Sequence, residues 1–385
     1  MTRLGIPAIG GPQWLGGRNY MLNLVRTLAD FGPDDFEVTI FAAEAEDAEL
    51  DALAALPRTR VVRDAALRPA GKNRRLAAAL TAGSDPVILR LFRDAGITIG
   101  FEVGEYFGWR LPMPMIAWMP DFQHRRLPHL FSASGWLKRE LGFRAQAATR
   151  NTIMLSSADS ERDCQIFYPR SRGRTHTVRF AVEPNRTLTN DAALKRAAAL
   201  QLPERFFFLP NQLWLHKNHV LAIRAAAHLA KDDPAVVVAS GHGIDARVPN
   251  LRAELTEIIA REGLQERFRL LDGLPYHDVQ ALTLACSAIV NPSRFEGWST
   301  TVEEAKAVGT PLILSDLPVH REQSPTARFF GVDDPQGLAD ALAATPTRTA
   351  DLICEGRRPA AEQNLKDREA FAAAFVATAH AAERA

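Results

Sequence analysis

The chain has 385 residues, more than one ordinary domain holds, so two domains are the natural expectation. Its 46% hydrophobic and 24% charged residues are those of a globular protein, and 46 Lys and Arg against 45 Asp and Glu leave a net charge of +1, which argues against a general nucleic-acid binder. Cys164, Cys286 and Cys354 are odd in number and far apart, without C-x-x-C spacing, which fits a reducing, cytoplasmic setting, and neither a signal-peptide core nor a membrane span of roughly 18 apolar residues is present.

In chain order, "RLGIPAI" predicts a first strand, followed by a helical pattern in "GRNYMLNLVRTLADF". "FEVTIFA", "GITIGFEV", "MPMIAWM" and "NTIMLSS" predict further buried strands with helical segments among them. This alternation is the signature of βαβ units and a parallel sheet. Over residues 181–203 the pattern lapses into a polar stretch with two prolines and no strand. A second series then begins: "RFFFLPN", a helix from about Asn218, "AVVVASG", a helix through "LRAELTEIIAREGL", "FRLLDG", "SAIVNPS", a helix from Thr300, and "PLILSD". The C-terminal "DREAFAAAFVATAHAAERA" is an Ala-rich helix. The expected division is therefore 1–185, 186–365, and a C-terminal helix 366–385 that packs back on the first domain. Open α/β sheets bind ligands beyond the carboxyl ends of their strands, so functional residues are expected in strand-exit loops.

The exit of "SAIVNPS" is the most informative. "RFEGWS" is a loop, and Thr300-Thr301-Val302-Glu303 fits a capping box, with Thr300 as N-cap and Glu303 reaching back. Glu304 has no such structural need, although acids in a first turn are favoured by the helix dipole in any case. A helix N-terminus is a seat for phosphate. A carboxylate in the first turn can accept from the vicinal hydroxyls of a ribose, and Glu296, eight positions earlier, could hold sugar hydroxyls across a diphosphate. Gly297 and Ser299 let backbone come close to such a ligand. The two acids would then bracket a nucleotide sugar.

"PSRFEGWSTTVEEAKAVGTPLILSD" resembles the E-x7-E signature of the retaining glycosyltransferases of family 4, over the whole second domain and more loosely the first. The resemblance implies a GT-B fold: α/β, two Rossmann-like doubly wound domains facing a central cleft. It implies that Glu304 binds the ribose, that Glu296 contacts the donor sugar, and that Gly297, Trp298, Ser299, Thr300 and Thr301 line sugar and phosphate. Many members have Phe-Gly-Leu-Pro where this chain has Trp-Ser-Thr-Thr. Lys217, just before a predicted helix, matches a lysine that contacts the donor diphosphate. An exposed loop lysine is the plainer reading of the residue by itself. The arginine usually found upstream is missing, and Asn211 or Gln212 stands in that region; His216 or an arginine from elsewhere could compensate, although His216 and His219, which flank Lys217, look like ordinary surface residues.

Other strand exits are compared with the same family. Gly16 and Gly17, in a Gly-rich loop before the first helix, match a loop near the donor phosphates. Asp121 and His124 follow the "MIAWM" strand. They suit acid–base work or a loop stabilised by Asp side-chain bonds equally well. Many relatives have His-Asp there, whereas Pro120 occupies the His position here. Ser240, Gly241 and Leu274 fall in loops that lie along the nucleotide, while His242 and His277 more simply serve locally. No metal is expected, for want of ligand spacing. The basic segments "GKNRRLAAAL", "HRRLPHLF" and "GWLKRELGFR", the last interleaved with Trp136, Leu137 and Phe143, fit a solvated helix face, or a peripheral contact with anionic lipid.

The expected activity is transfer of a hexose from a GDP- or UDP-sugar, with retention, to a glycan or lipid-linked acceptor of cell-surface assembly. The expected location is cytoplasmic, peripheral to the inner face of the plasma membrane. Two alternatives stay open. A GT-B epimerase or hydrolase would want further acids and histidines. A non-catalytic nucleotide-sugar-binding subunit would suit the missing arginine and the Pro120 substitution.

Overall fold

The computed structural model describes residues 1–8, 15–44, 47–241, 245 and 247–384. It divides into two compact units, Met1–Ala181 with Lys366–Ala385, and Val182–Leu365.

The first unit is built on a parallel sheet of β1 (Thr2–Pro7), β2 (Phe36–Ala42), β3 (Thr59–Arg63), β4 (Ile99–Val103), β5 (Met115–Trp118), β6 (Thr152–Leu155) and β7 (Thr175–Thr177). Their order is β3-β2-β1-β4-β5-β6-β7. Strand order reverses direction between β1 and β4, which register through Leu4 and Ile99. The core is aromatic: Tyr20 stacks on Trp118 with ring centroids 4.0 Å apart. The last turns of the C-terminal helix belong to this unit, because Phe371 and Phe375, one helical turn apart, bury their rings against Tyr20 and Phe101. Arg368, itself buried, pairs with Asp30 at 2.5 Å.

The second unit repeats the plan with β8 (Phe206–Leu209), β9 (Val236–Ser240), β10 (Phe268–Leu271), β11 (Ala288–Asn291), β12 (Leu312–Ser315) and β13 (Arg328–Phe330), ordered β10-β9-β8-β11-β12-β13 and parallel throughout. Alternate residues of each central strand enter different cores. Phe207, Leu209, Val237 and Ala239 pack with the helices His219–His228, Leu251–Arg261 and Pro335–Ala343. Phe206, Phe208, Val236 and Val238 pack with Asn190–Ala199, Tyr276–Ala285 and Thr300–Ala307. Both faces are covered, which is why these strands read as unbroken apolar runs. The switch point lies between β8 and β11, paired through Phe208 and Ile289.

Three strands escaped the sequence reading: β3, β7 and β13, each at a sheet edge. β7 is Thr-His-Thr and β13 only Arg-Phe-Phe, too short and too polar to stand out. The polar stretch before β8 holds a helix, Asn190–Ala199, capped by Thr189. The C-terminal helix starts at Ala350, well before the Ala-rich segment, and continues past Pro359 to Arg384.

Candidate active site

At the β8/β11 switch point two strand exits meet side by side, and the polar residues ending those strands meet with them. After β8 the chain makes a short 3-10 turn, Leu215–Lys217, then passes through Asn218 at φ 57°, a left-handed conformation that Asn tolerates better than most residues, into the helix His219–His228. The Asn218 side chain donates to Val332 O at 3.1 Å, and the Arg294 amide donates to His216 O at 2.8 Å. The first bond ties the exit of β8 to that of β13 and the second ties it to that of β11, and Lys217 stands against Glu296, 2.7 Å from Nζ to Oε1.

Glu296 is almost wholly buried. Burial by itself would raise its carboxyl, but the neighbouring Lys217, His320 and His216, with the bond from Lys217, outweigh it and hold the group at about 2. It is therefore a carboxylate at any ordinary pH. Asn291, fully buried at the end of β11, is the hub around it. Its Nδ2 donates to Glu296 Oε1 at 3.3 Å and to Ser299 Oγ at 3.0 Å, and its Oδ1 accepts from Asn211 at 3.3 Å. Ser293 Oγ lies 2.7 Å from Glu296 Oε1 and 2.6 Å from Asn291 Oδ1. Sequence reasoning passed over Asn291 and Ser293. A polar residue closing an otherwise apolar strand was the available signal.

The helix Thr300–Ala307 departs from the expected capping box. Ser299, not Thr300, is the N-cap, and its side chain makes no capping bond. Glu303 does not reach back; its carboxylate takes Lys306 Nζ at 3.0 Å and Gln323 Nε2 at 3.0 Å. The cap is supplied in tertiary fashion by Gln323, whose Oε1 accepts from the Ser299 amide at 3.0 Å while Nε2 donates to Ser299 O at 2.9 Å. Glu304 is the fifth residue of the helix, just beyond its first turn, and half-buried. Tyr276 donates to its Oε1 at 2.7 Å. Crowding by protein pushes the Glu304 carboxyl up to about 7, with the Tyr276 bond pulling the other way.

The remaining expected residues fall as follows. Asn211 is a buried cross-link, not a donor held open for a diphosphate. Its Nδ2 is on Asn291, and its Oδ1 accepts from Thr301 Oγ1 at 3.3 Å. Gln212, Lys217, Trp298, Thr300 and Thr301 are half-buried, and Gly297 and Ser299 are buried. His216 and His219 are not surface residues: both are buried, and burial drops His219 to about 4, so it is neutral. Ser240 ends β9 and is buried, its Oγ 3.4 Å from Asp272 O. Gly241 has a packing reason of its own, because a Cβ there would stand 2.2 Å from Asn211 O. Leu274 packs on the core facing the Thr300–Ala307 helix. His242 lies outside the described residues. Among the described residues no group of three or more His, Cys, Asp or Glu could hold a metal ion.

In the first unit, Gly16 and Gly17 do not form a loop before the first helix but lie inside it, Leu15–Phe31; Gly16 is exposed and Gly17 buried. Of the same Gly-rich segment, Gly10 and Gly11 lie outside the described residues. Asp121 Oδ1 accepts from the Gln123 amide at 2.9 Å, with Arg139 at 3.7 Å, the local loop bond that was the alternative to acid–base work. His124 cannot take over a sugar contact in this conformation. It is fully buried, with Nε2 at 3.2 Å from both Glu140 Oε2 and Tyr168 Oη, and the rings of Phe131, Trp136 and Phe143 around it. Spacing after a strand predicted an open His; the aromatic residues of the following helix close over it instead. No helix among the described residues is long and apolar enough to cross a membrane.

Residues 191–344, most of the second unit, match the family of glycosyl transferases group 1. Curated relatives include the D-inositol 3-phosphate glycosyltransferases of Nocardia farcinica, 25% identical over 187 residues (47% of this chain and 41% of that protein). The enzyme of that name from Corynebacterium efficiens is 29% identical over 168 residues (40% and 38%). The chain thus matches about two-fifths of the length of these relatives. Solved structures align over nearly the whole chain. Anabaena Alr3699/HepE in complex with UDP and glucose has TM-score 0.69 at 15% identity, covering 98% of this chain and 100% of that one. WaaG, a glycosyltransferase involved in lipopolysaccharide biosynthesis, has TM-score 0.61 at 12% identity, covering 100% and 99%. The fold is that of the GT-B glycosyltransferases, with two Rossmann-like parallel-sheet units.

Proposed function

We propose that the protein is a retaining glycosyltransferase of family 4 that moves a hexose from a nucleotide diphosphate sugar to a glycan or lipid-linked acceptor. The observation that carries this reading is the Lys217–Glu296 pair at the switch point, beside a helix N-terminus and with Glu304 on that same helix. The curated relatives that match part of the chain are glycosyltransferases by name, and HepE was crystallised with UDP and glucose, which favours a nucleotide-sugar donor here.

In this reading the ribose hydroxyls donate to Glu304, and the diphosphate lies at the amides that open the Thr300–Ala307 helix. The Lys217 ammonium has three N–H donors; one is on Glu296, and two remain for the diphosphate. The acceptor hydroxyl oxygen forms a bond to the anomeric carbon while the bond from that carbon to the β-phosphate oxygen breaks. The hydroxyl proton passes to the departing diphosphate on the same face, which keeps the configuration. Lys217 and the helix end stabilise the charge that grows on the leaving group. Glu296, fixed as a carboxylate, accepts from hydroxyls of the sugar. The reaction uses no resident metal or cofactor, and the enzyme works on the cytoplasmic face of a membrane when its acceptor is lipid-linked.

The test is release of nucleoside diphosphate across UDP- and GDP-sugars with crude lipid extract as acceptor, with the anomeric configuration of the product read by NMR. Acceptor-dependent release with an α-linked product from an α-linked donor supports the reading. No release with any donor, or donor breakdown independent of acceptor, refutes it.

A further inference from the structure

The helix Tyr276–Ala285 opens on Tyr276, two residues beyond Leu274. Tyr276 is 51% exposed, yet its hydroxyl sits 2.7 Å from Glu304 Oε1. An exposed phenol has water as a ready partner, so its seat on one particular carboxylate is informative. A glutamate side chain has three rotatable torsions, and freezing them when a ligand arrives costs entropy that a bond already in place has removed beforehand.

We propose that Tyr276 is a positioning residue for the nucleotide: its hydroxyl holds one oxygen of Glu304, fixes the plane of the carboxylate and turns the other oxygen to the ribose diol. The inference rests on the reading of Glu304 as the ribose ligand. The neighbouring charged side chains have partners of their own. On the helix that bears Glu304, Glu303 and Lys306 pair with each other at 3.0 Å. On the helix that bears Tyr276, Asp278 is taken by Arg196 at 2.6 Å and His277 at 3.2 Å. Burial pushes the Glu304 carboxyl up to about 7, and the Tyr276 bond is what works against it. Removing that bond therefore protonates Glu304 at a higher pH, and a protonated acid is the poorer acceptor for two hydroxyls.

The experiment is calorimetric titration of UDP and of GDP into the full chain over about pH 5.5 to 8.5, for the unsubstituted protein, Tyr276→Phe and Glu304→Gln. Tyr276→Phe keeps the ring and removes only the hydroxyl. It is expected to bind about threefold to tenfold more weakly at neutral pH, the scale of one hydrogen bond. The pH below which affinity falls should move up by about half a unit. With a 2′,3′-dideoxy nucleotide the difference between the two proteins should vanish. Affinity and pH profile unchanged in Tyr276→Phe, while Glu304→Gln binds weakly, overturn the inference and leave the site reading standing. Tighter binding by Tyr276→Phe also overturns it, since the hydroxyl then competes with the ribose. Unchanged binding in Glu304→Gln, or no binding of either nucleotide to the unsubstituted protein, removes the site reading and the inference with it.

Discussion

Replacing Glu296 by Gln keeps the shape of the side chain and removes its charge from beside Lys217. Both partners are largely buried, at 8% and 13% side-chain exposure, so solvent screens the pair little. A carboxyl held at about 2, against 4.5 for the ordinary group, is worth about 3 kcal/mol of folding stability at neutral pH. Breaking a buried pair by removing one partner costs about 3–5 kcal/mol in general, so two independent routes agree. Because the folded carboxyl titrates below its unfolded value, the contribution is complete above about pH 4.5 and is lost as pH falls through about 2. Urea unfolding of Glu296→Gln should therefore show a loss of about 3 kcal/mol at pH 7 that shrinks to less than half at about pH 3. A double substitution, Lys217→Met with Glu296→Gln, should recover part of the loss, since the stranded ammonium is gone. Equal stability of Glu296→Gln and the unsubstituted protein at pH 7, or a loss that does not depend on pH, would refute the reasoning.

The remaining expectations concern the ligand site and its frame. Glu304→Gln should weaken nucleotide binding by about 1.5–3 kcal/mol at about pH 8.5, where the carboxyl is ionised, the scale of hydrogen bonds to a charged group, with the fold intact by circular dichroism; unchanged affinity removes Glu304 from the site. Lys217→Ala should slow single turnover at saturating donor by about a hundredfold, as when one oxyanion donor is lost, and Lys217→Arg should restore only part because a planar fork replaces a point charge. Near-normal turnover in Lys217→Ala means that the diphosphate is neutralised elsewhere. Turnover should persist in excess chelator; loss that magnesium or manganese restores would reveal a metal site. Gly241→Ala should lower stability by about 2 kcal/mol, because the new Cβ meets the backbone carbonyl oxygen of Asn211 at 2.2 Å; an unchanged melting temperature counts against that packing argument.

Much of the fold was legible in the chain. The apolar runs at β1, β2, β4 to β6, β8, β9, β11 and β12 are inner strands of the two sheets, and burial leaves its mark directly in composition; β10, an edge strand, was legible through its Phe-Arg-Leu-Leu run. The edge strands β3, β7 and β13 were not legible, because an edge is covered on one side only and tolerates polar residues. The local sequence of Thr300 to Glu303 suggested a capping box, and the chain preferred a cap from Gln323, more than twenty residues away, which no local pattern encodes.

What the sequence by itself determined was the class of fold, through the alternation of apolar runs and helical patterns, while the candidate residues were named through the resemblance of the Glu296–Glu304 segment to a known family and through the strand exits compared with it. What only the tertiary structure decided was which of those residues touch. Lys217 and Glu296 lie 79 positions apart and meet because strand order reverses between β8 and β11, placing their exits side by side. Asn211 is turned inward onto Asn291 and Thr301 by that same adjacency. His124 is enclosed because the aromatic residues of a following helix fold over it. Spacing along a chain places a side chain at the end of a strand, but its burial, partners and charge state depend on neighbours that are distant in sequence and become close only when the sheet is assembled.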